Sequence, residues 1–363
     1  MARSASTELR APEGVADAAV GPRRQGELWE AVDRLVEAAP RLSDLRNHGI
    51  DLFAARRWRA LGRALPPELV ADERRIAALT LGANPVLERA QRAYGGTIVL
   101  LKGPEVAARY PDPALRRFRD LDLLVDDPLG AYRALRAAGF QPVGDPEVYV
   151  DIHHLRPLAL PGLPLPIELH SRPKWLEGRS PPPVADLLAA AVPSVTGVDG
   201  VLALPPSHHA VLLAAHSWAH EPLRRVRDVL DVAAVLEEGD RDEAESIADG
   251  WGARRLWGTT IRAADAVLAG GRTPWTLRTW ARNLPRARER TVLESHLERW
   301  LSNFAVLPPG RAALELVSVL GQEVKPEAGE TWGRKLARTR TALRNASVRR
   351  SEHDEELGRG ERR

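Results

Sequence analysis

Short, mostly apolar segments interrupt a helical pattern in the middle of this chain, and they constrain its fold more than any other feature. Residues 97–101 (TIVLL) and 121–125 (LDLLV) are too short for helices and consist mainly of aliphatic residues, which is typical of buried strands. The segments 147–160 and 165–170 continue this strand-like character. The flanking sequence repeats apolar residues every three or four positions, which predicts helices. We therefore predict an α+β fold, with a small sheet core between N-terminal helices and an all-helical C-terminal region.

Changes of composition divide the chain into five parts. Gly95 and Gly96 end the first helical part, and three prolines at 181–183 precede the last one, because glycine pairs and polyproline interrupt helices. Both termini lack periodicity and are rich in charge, alanine or glycine, which favours disorder. The predicted parts are a disordered segment (1–25), an N-terminal helical region (26–95), an α/β core (96–172), a C-terminal helical domain (184–345) and a charged tail (346–363).

Composition excludes several classes of protein. The 363 residues include no cysteine, which excludes disulfides, thiolate metal sites and cysteine nucleophiles. No apolar stretch reaches the roughly 18 residues of a membrane-spanning helix, and the first residues lack the apolar centre of a signal peptide. We therefore expect a cytoplasmic protein without a membrane partner. The net charge of +3 arises from interspersed charges, so a nucleic-acid partner is not expected.

Two aspartates at the start of a predicted strand are the strongest chemical signal. Asp120 and Asp122 lie two residues apart, and alternate residues of a strand share a face. Carboxylates about 7 Å apart along a strand repel each other unless a cation lies between them, and magnesium prefers such oxygen ligands. Glu168 is the single acid of a later apolar strand. It would complete a cluster of three carboxylates if the two strands are neighbours.

Salt bridges to nearby cations would explain both aspartates without a metal. The candidates are the arginines just before them, Arg116, Arg117 and Arg119. A glycine turn upstream favours the metal hypothesis instead. Lys102 and Gly103 follow a buried strand and precede a helix-like segment, and such a turn lets phosphate oxygens approach backbone N–H groups.

The order of these features resembles the polymerase-β-like nucleotidyltransferase superfamily: a strand, a glycine turn, a D-x-D strand and a later strand with one acid. More closely, LLKGPEVAARYPDPALRRFRDLDLLV, LRAAGF, HHL and PIELH resemble an uncharacterised bacterial nucleotidyltransferase family. The resemblance covers residues 97–170, with a fainter helical match over 207–236. It implies that the small sheet is a polymerase-β-like nucleotidyltransferase core.

The resemblance also implies an enzyme activity. A magnesium-dependent transferase of this type moves a nucleoside monophosphate from a nucleoside triphosphate, here expected to be ATP, to an acceptor and releases pyrophosphate. Asp120, Asp122 and Glu168 fall at the positions of the catalytic carboxylates that hold two magnesium ions. Charge that develops on the transferred group requires positive side chains. The implied nucleotide-binding residues are Lys102, Gly103 and Arg116.

The acceptor is the least constrained part of this prediction. His170 lies two residues after Glu168, on the same strand face, and His216 and His220 are spaced by four on a predicted helix. We predict that these histidines are candidates on the substrate side, with hydrogen-bonded core histidines as the alternative. The resemblance implies a modified peptide or a small metabolite as acceptor, and so a role in natural-product biosynthesis.

Two other functions remain open at this point. The wider superfamily usually has a serine after the turn glycine, whereas this chain has Pro104, which removes a hydroxyl and a backbone N–H from the phosphate turn. A catalytically inactive binding or regulatory protein is therefore one alternative. A small-molecule kinase is the other, although the chain has neither a P-loop nor an H-R-D catalytic motif.

Overall fold

The computed structural model describes residues 26–149, 152–327 and 329–354. Four helices precede the first strand: α1 (Glu27–Ala38), α2 (Leu42–His48), α3 (Asp51–Ala60) and α4 (Pro67–Tyr94). Helices α5 (Pro104–Ala107) and α6 (Pro128–Ala137) lie between the first three strands. The later helices are α7 (Val184–Ala190), α8 (Pro206–His220), α9 (Val226–Leu236), α10 (Arg241–Gly250), α11 (Arg254–Leu268), α12 (Trp275–Thr279), α13 (Val292–Leu301), α14 (Pro309–Val324) and α15 (Trp332–Arg344).

A seven-stranded mixed sheet forms the centre of the part of the chain that the structure describes. Its strands are β1 (Ile98–Leu100), β2 (Leu121–Val125), β3 (Gln141–Pro142), β4 (Leu158–Ala159), β5 (Ile167–His170), β6 (Val192–Pro193) and β7 (Val201–Ala203). The spatial order is β3-β4-β5-β2-β1-β7-β6. Strand β2 runs antiparallel to β1 and parallel to β5. The architecture confirms the predicted α+β fold.

The long helix α4 shows how sequence periodicity produces this architecture. Its buried residues Ile76, Leu79, Ala83 and Leu87 are spaced by three or four and therefore form one stripe. The helix contains Pro85 and ends at Gly95, which adopts a left-handed conformation with φ of 69°. Glycine accepts this conformation without steric cost. The buried stripe packs against α6 and the sheet.

Both faces of the central strands are buried, in two different apolar clusters. Leu121, Leu123 and Val125 of β2 belong to the main core with α4 and α6. Leu124 faces the opposite side and packs in a smaller cluster with Leu212 of α8. Asp120 and Asp122 alternate with the main-core residues, so the backbone directs them toward the α8 side of the sheet.

Two parts of the predicted secondary structure were wrong. The region after Pro183 is not entirely helical, because β6 and β7 lie there and β7 pairs in parallel with β1. The sheet therefore extends past the boundary predicted at residue 184. The predicted strand 147–160 is also wrong in its described residues. Pro146–Tyr149 form a 3-10 turn, and within residues 152–160 only β4 belongs to the ladder, while residues 150 and 151 lie outside the described part of the chain. Strands of two or three residues are too short to produce a detectable alternation.

The C-terminal segment is more ordered than its composition predicted. Residues 350–354 form a helical turn, and Arg349 forms an isolated β-bridge with Thr291. The predicted disordered segment 1–25 lies outside the described residues, as do residues 355–363. In the portion that the structure describes, we find no helix long and apolar enough to cross a membrane.

Candidate active site

Neighbouring strands place two acids directly opposite each other. In the parallel pairing of β2 with β5, Asp122 is in register with Glu168. His170 lies two residues further along β5 and its Nε2 donates a hydrogen bond of 3.0 Å to Asp122 Oδ1. The same nitrogen is 3.8 Å from Glu168 Oε2. Ligand atoms of these three side chains lie within 4.8 Å of one another, which is close enough for all three to contact one metal ion.

Asp120 lies at the edge of this group. It immediately precedes β2 and lines the same cleft as Asp122, but it does not belong to the compact set of Asp122, Glu168 and His170. The sequence placed Asp120 on the strand face of Asp122. Among the described residues, His170 and not Asp120 joins Asp122 and Glu168 in a group that could hold a metal ion.

Lys102 connects this group to helix α8. Its Nζ lies 3.4 Å from Asp122 Oδ2 and donates a 2.8 Å hydrogen bond to His216 Nε2. The preceding residue is also tied to α8, because His209 Nε2 donates to the Leu101 carbonyl at 2.6 Å. Helix α8 therefore fixes the end of β1, and with it the position of the Lys102 ammonium group.

A second lysine–histidine pair lies further along α8. Lys174 Nζ is 2.8 Å from a ring nitrogen of His220, and the rings of His216 and His220 have centroids 4.7 Å apart. Burial lowers the pKa of His220 to about 4 and that of His216 well below its ordinary value, with Lys174 and Lys102 adding to the effect. Both imidazoles are therefore neutral at pH 7 and accept hydrogen bonds from the lysines.

The three carboxylates differ in their proton affinity. Burial alone would raise the pKa of Asp122, but Lys102 and His170 outweigh it and hold that pKa well below its ordinary value. Burial and the charge of Asp122 raise the pKa of Asp120. Burial, Asp122 and Asp120 together raise the pKa of Glu168 to about 7. Only Asp122 is thus well compensated by the protein alone.

These charges fit a bound cation. Within the described residues, neither Asp120 nor Glu168 lies within 4 Å of a lysine or arginine nitrogen; Glu168 has only His154 and His170 at that range. A divalent ion would relieve the repulsion that raises both pKa values. The two carboxylates of the compact set supply the oxygen ligands that magnesium prefers, and His170 orients one of them through its hydrogen bond to Asp122.

The arginine salt bridges considered from the sequence do not form with these aspartates. Arg116 pairs with Asp231 at 2.7 Å, and Arg117 pairs with Asp51 and Asp72. Arg119 is exposed, and no carboxylate lies within ion-pair distance of it in the described part of the chain. Arg116 and Arg117 pair with carboxylates that are distant in sequence. The salt bridges expected from proximity along the chain are therefore not formed.

Arg116 lines the cleft beside Asp120, but its side chain is held by groups of the protein. Its guanidinium is buried, bonds both oxygens of Asp231, and donates to the Gly103 carbonyl at 3.2 Å. Tyr110 donates to the same carboxylate at 2.7 Å. These contacts leave the Arg116 side chain engaged inside the protein.

The geometry of the turn explains why residue 103 is a glycine. Gly103 has φ of 63°, in the left-handed region, and a Cβ built on it would lie 3.3 Å from the Asp120 carbonyl oxygen. Any other residue would be strained there and would push against the backbone before β2. Gly103 therefore allows the turn after β1 to approach the strand that carries the aspartates.

A cleft of about 820 Å³ opens beside these residues. Its walls come from the end of α2, the turn after β1, the segment before β2, and the adjoining ends of α8 and α9. Seven of the residues predicted from sequence line it: Lys102, Gly103, Arg116, Asp120, Asp122, His216 and His220. Glu168 and His170 are not among the residues that line this cleft. His170 borders a small adjacent pocket with Lys102, Lys174 and His216.

Sequence reasoning missed two contributors. His154 Nε2 lies 3.5 Å from Glu168 Oε2, held by an isolated bridge between His154 and His170. Lys174 faces His220. Lysine is rare in this arginine-rich chain, with only four in total. That scarcity was the signal that could have drawn attention to Lys174.

The sheet, the facing acids and the adjacent cleft agree with the nucleotidyltransferase class. A family model described as "Uncharacterised nucleotidyltransferase" matches residues 45–269, which is more than half of the chain and runs from α2 to the end of α11. The chain belongs to this family. Searches of curated proteins and of solved structures found no match.

Proposed function

We propose that this protein is a magnesium-dependent nucleotidyltransferase. It transfers a nucleoside monophosphate from a nucleoside triphosphate, with ATP as donor, to a small metabolite or a modified peptide and releases pyrophosphate. The observation that carries the proposal is the register of Asp122 opposite Glu168, with Asp120 and Lys102 at the same cleft. Family membership supports the reaction class.

Asp120, Asp122 and Glu168 would hold two magnesium ions. When bound, these ions neutralise charge on the phosphates and stabilise the attacking and leaving oxygens. His170 holds the Asp122 carboxylate by its 3.0 Å hydrogen bond, so the side chain needs little reorganisation when a cation binds.

The protein's own groups supply the remaining chemistry. An acceptor hydroxyl attacks the α-phosphorus, the bond from that phosphorus to the bridging oxygen breaks, and the electron pair leaves with pyrophosphate. Glu168 lies in register with Asp122, and its carboxylate is suited to take the hydroxyl proton. Lys102 supplies positive charge beside Asp122. Neutral His216 and His220 provide hydrogen-bonding groups toward the acceptor.

An acceptor-independent assay tests this function. Purified protein is incubated with magnesium and ATP labelled at the α- or γ-phosphate, with water as the default acceptor, and pyrophosphate, ADP and AMP are separated. Release of pyrophosphate with AMP supports nucleotidyl transfer. Formation of ADP would indicate a kinase, and ATP binding without turnover would indicate an inactive binding protein.

Two variants make this assay specific. Replacing Asp122 by Asn is expected to reduce turnover at least about a thousandfold, because it removes a carboxylate shared by the proposed metal ions. Asp199 is exposed and lies in a loop away from the cleft, so Asp199→Asn is a matched control that should retain activity. Equal activity in both variants would contradict the proposed site.

A further inference from the structure

Arginines dominate the cleft wall on the side of Asp120. Seven of them line it: Arg46, Arg116, Arg117, Arg119, Arg224, Arg225 and Arg227. A cluster of cations facing a solvent-filled cleft repels itself unless carboxylates or a bound anion compensate it. The pairing of each arginine therefore indicates which of them remain free for a ligand.

Five of the seven have a carboxylate partner. Arg116 and Arg117 form the pairs described above. Arg46 lies 3.3 Å from Asp72, Arg224 pairs with Glu221, and Arg227 lies 3.8 Å from Asp228. In the part of the chain that the structure describes, no carboxylate lies within 4 Å of the guanidinium of Arg119 or Arg225. These two side chains are thus the uncompensated cations of the wall.

Arg225 is only partly exposed, which makes its lack of a partner costly. Burial lowers its pKa, and the nearby charges of Arg227 and Arg119 lower it further, while Asp228 opposes them. These arginines also influence the proposed metal site, because the charge of Arg227 lowers the pKa of Asp120. Arg119, Arg225 and Arg227 therefore lie close enough to influence one another, and they line the same cleft as Asp120 and Asp122.

We propose that Arg119 and Arg225 bind the β- and γ-phosphates of the nucleotide donor, which leave as pyrophosphate. This inference rests on the proposed function. Two observations favour it. Arg116 is occupied by Asp231, and Pro104 offers no backbone N–H at the turn. The donor phosphates therefore need other cations in the cleft, and guanidinium groups match phosphate oxygens in charge and geometry.

The role of these arginines follows from the charge balance of the reaction. As the bond from the α-phosphorus to the bridging oxygen breaks, negative charge accumulates on pyrophosphate. Two guanidinium groups already in place stabilise that charge without reorganisation. An anionic group on the acceptor is the other source of the same chemistry, and the experiment below distinguishes the two.

Binding of three probes shows which phosphates of the donor the two arginines contact. Isothermal titration measures magnesium–ATP, AMP and inorganic pyrophosphate binding to wild type and to Arg119→Gln and Arg225→Gln. We expect ATP and pyrophosphate affinities to fall about tenfold or more in each variant, since each loses charge-assisted hydrogen bonds. AMP affinity should change little. Arg224→Gln is the matched control: its guanidinium is engaged by Glu221, so ATP affinity should remain near that of wild type.

Folding does not obscure the result. Arg119 is exposed, so Arg119→Gln should fold normally. In thermal melting without ligand, Arg225→Gln should be no less stable than wild type, because the substitution relieves the repulsion of Arg225 by Arg227 and Arg119. Unchanged ATP and pyrophosphate binding in both variants would overturn the inference and point to an acceptor anion, while the proposed function would stand. An equal loss of AMP binding would also overturn it. Absence of any nucleotide binding by wild type would instead refute the proposed function itself.

Discussion

Asp120 and Asp122 are two residues apart, yet their environments have opposite effects on them. Asp122 is buried but accepts a hydrogen bond from His170 and lies beside Lys102, so its pKa is low. In the described part of the chain Asp120 has no such partner, and burial together with the charge of Asp122 raises its pKa. The ionised form of Asp122 therefore stabilises the metal-free fold at pH 7, whereas ionised Asp120 destabilises it.

This contrast predicts different stabilities for two equivalent substitutions. Without magnesium, Asp122→Asn should melt below wild type, because Lys102 loses its ionic partner, while Asp120→Asn should melt at or above wild type. Both variants should lose the additional stability that magnesium and ATP give to wild type. Thermal melting of the three proteins with and without magnesium–ATP checks this. The sequence alone suggested relief of repulsion for Asp122→Asn, and the contacts of Asp122 reverse that expectation.

Glu168 predicts how magnesium binding depends on pH. Its pKa in the folded protein is about 7, above the ordinary 4.5, so the metal-free fold loses stability as pH rises from about 4.5 through 7. Magnesium must compete with the Glu168 proton below pH 7. Apparent magnesium affinity measured by titration should therefore be about tenfold weaker at pH 6 than at pH 8. In Glu168→Gln the affinity should be lower throughout, and retention of the full pH dependence there would assign it to another group.

At the scale of elements, one buried ion pair joins the helical region to the sheet. Arg116 precedes β2, whereas Asp231 lies in the middle of α9, and the two side chains form two hydrogen bonds of 2.7 and 2.8 Å. Tyr110, just after α5, donates to the same carboxylate. This network fixes α9 against the turn that contains Gly103, so it positions one wall of the cleft.

We predict that Arg116 contributes to stability through this network. Arg116→Met should lower the free energy of unfolding by about 3–5 kcal/mol, because it leaves the Asp231 carboxylate buried without its cation. The double variant Arg116→Met/Asp231→Leu should recover more than half of that loss, since no uncompensated charge remains. Urea unfolding measures both. If the single variant is as stable as wild type but binds ATP more weakly, Arg116 acts on the nucleotide instead.

At the scale of the whole molecule, the C-terminal segment is attached to the N-terminal helices. Arg349 donates a 2.8 Å hydrogen bond to Asp44 of α2, a fully buried carboxylate that also accepts from the Glu289 backbone at 2.9 Å. The contact spans 305 residues. The two residues flank in sequence the region matched by the family model, residues 45–269.

This attachment predicts that the end of the chain contributes to global stability. Arg349→Met should lower the free energy of unfolding by on the order of 3 kcal/mol, since Asp44 would be left buried without its cation. The adjacent Arg350 is half exposed, and its nearest carboxylates lie at 3.6 and 3.8 Å, so Arg350→Met should change stability by less than about 1 kcal/mol. Equal effects of the two substitutions in urea unfolding would contradict the proposed attachment.

The sequence predicted the elements whose signals are local. The apolar strands β1, β2 and β5 and the stripe of α4 follow from periodicity, because burial of one face or both faces imposes it. The placement of Asp120, Asp122 and Gly103 around one strand and one turn also follows from local spacing. Strands β6 and β7 and the loop around His154 could not be predicted, because two or three residues carry no periodic signal and depend on a neighbouring strand for their conformation.

The sequence by itself determined which residues could share a face, and the tertiary structure decided which of them meet. Alternation along β2 and β5 fixed the facing directions of Asp122, Glu168 and His170, but only strand pairing brought these side chains into register. The partners of the buried arginines, in contrast, have no signal in the local sequence. Arg116 and Asp231 are 115 residues apart, and nothing in their local sequence selects one for the other. An ion pair forms where folding brings two buried charges together, because neither can remain buried alone, and that condition is a property of the folded chain.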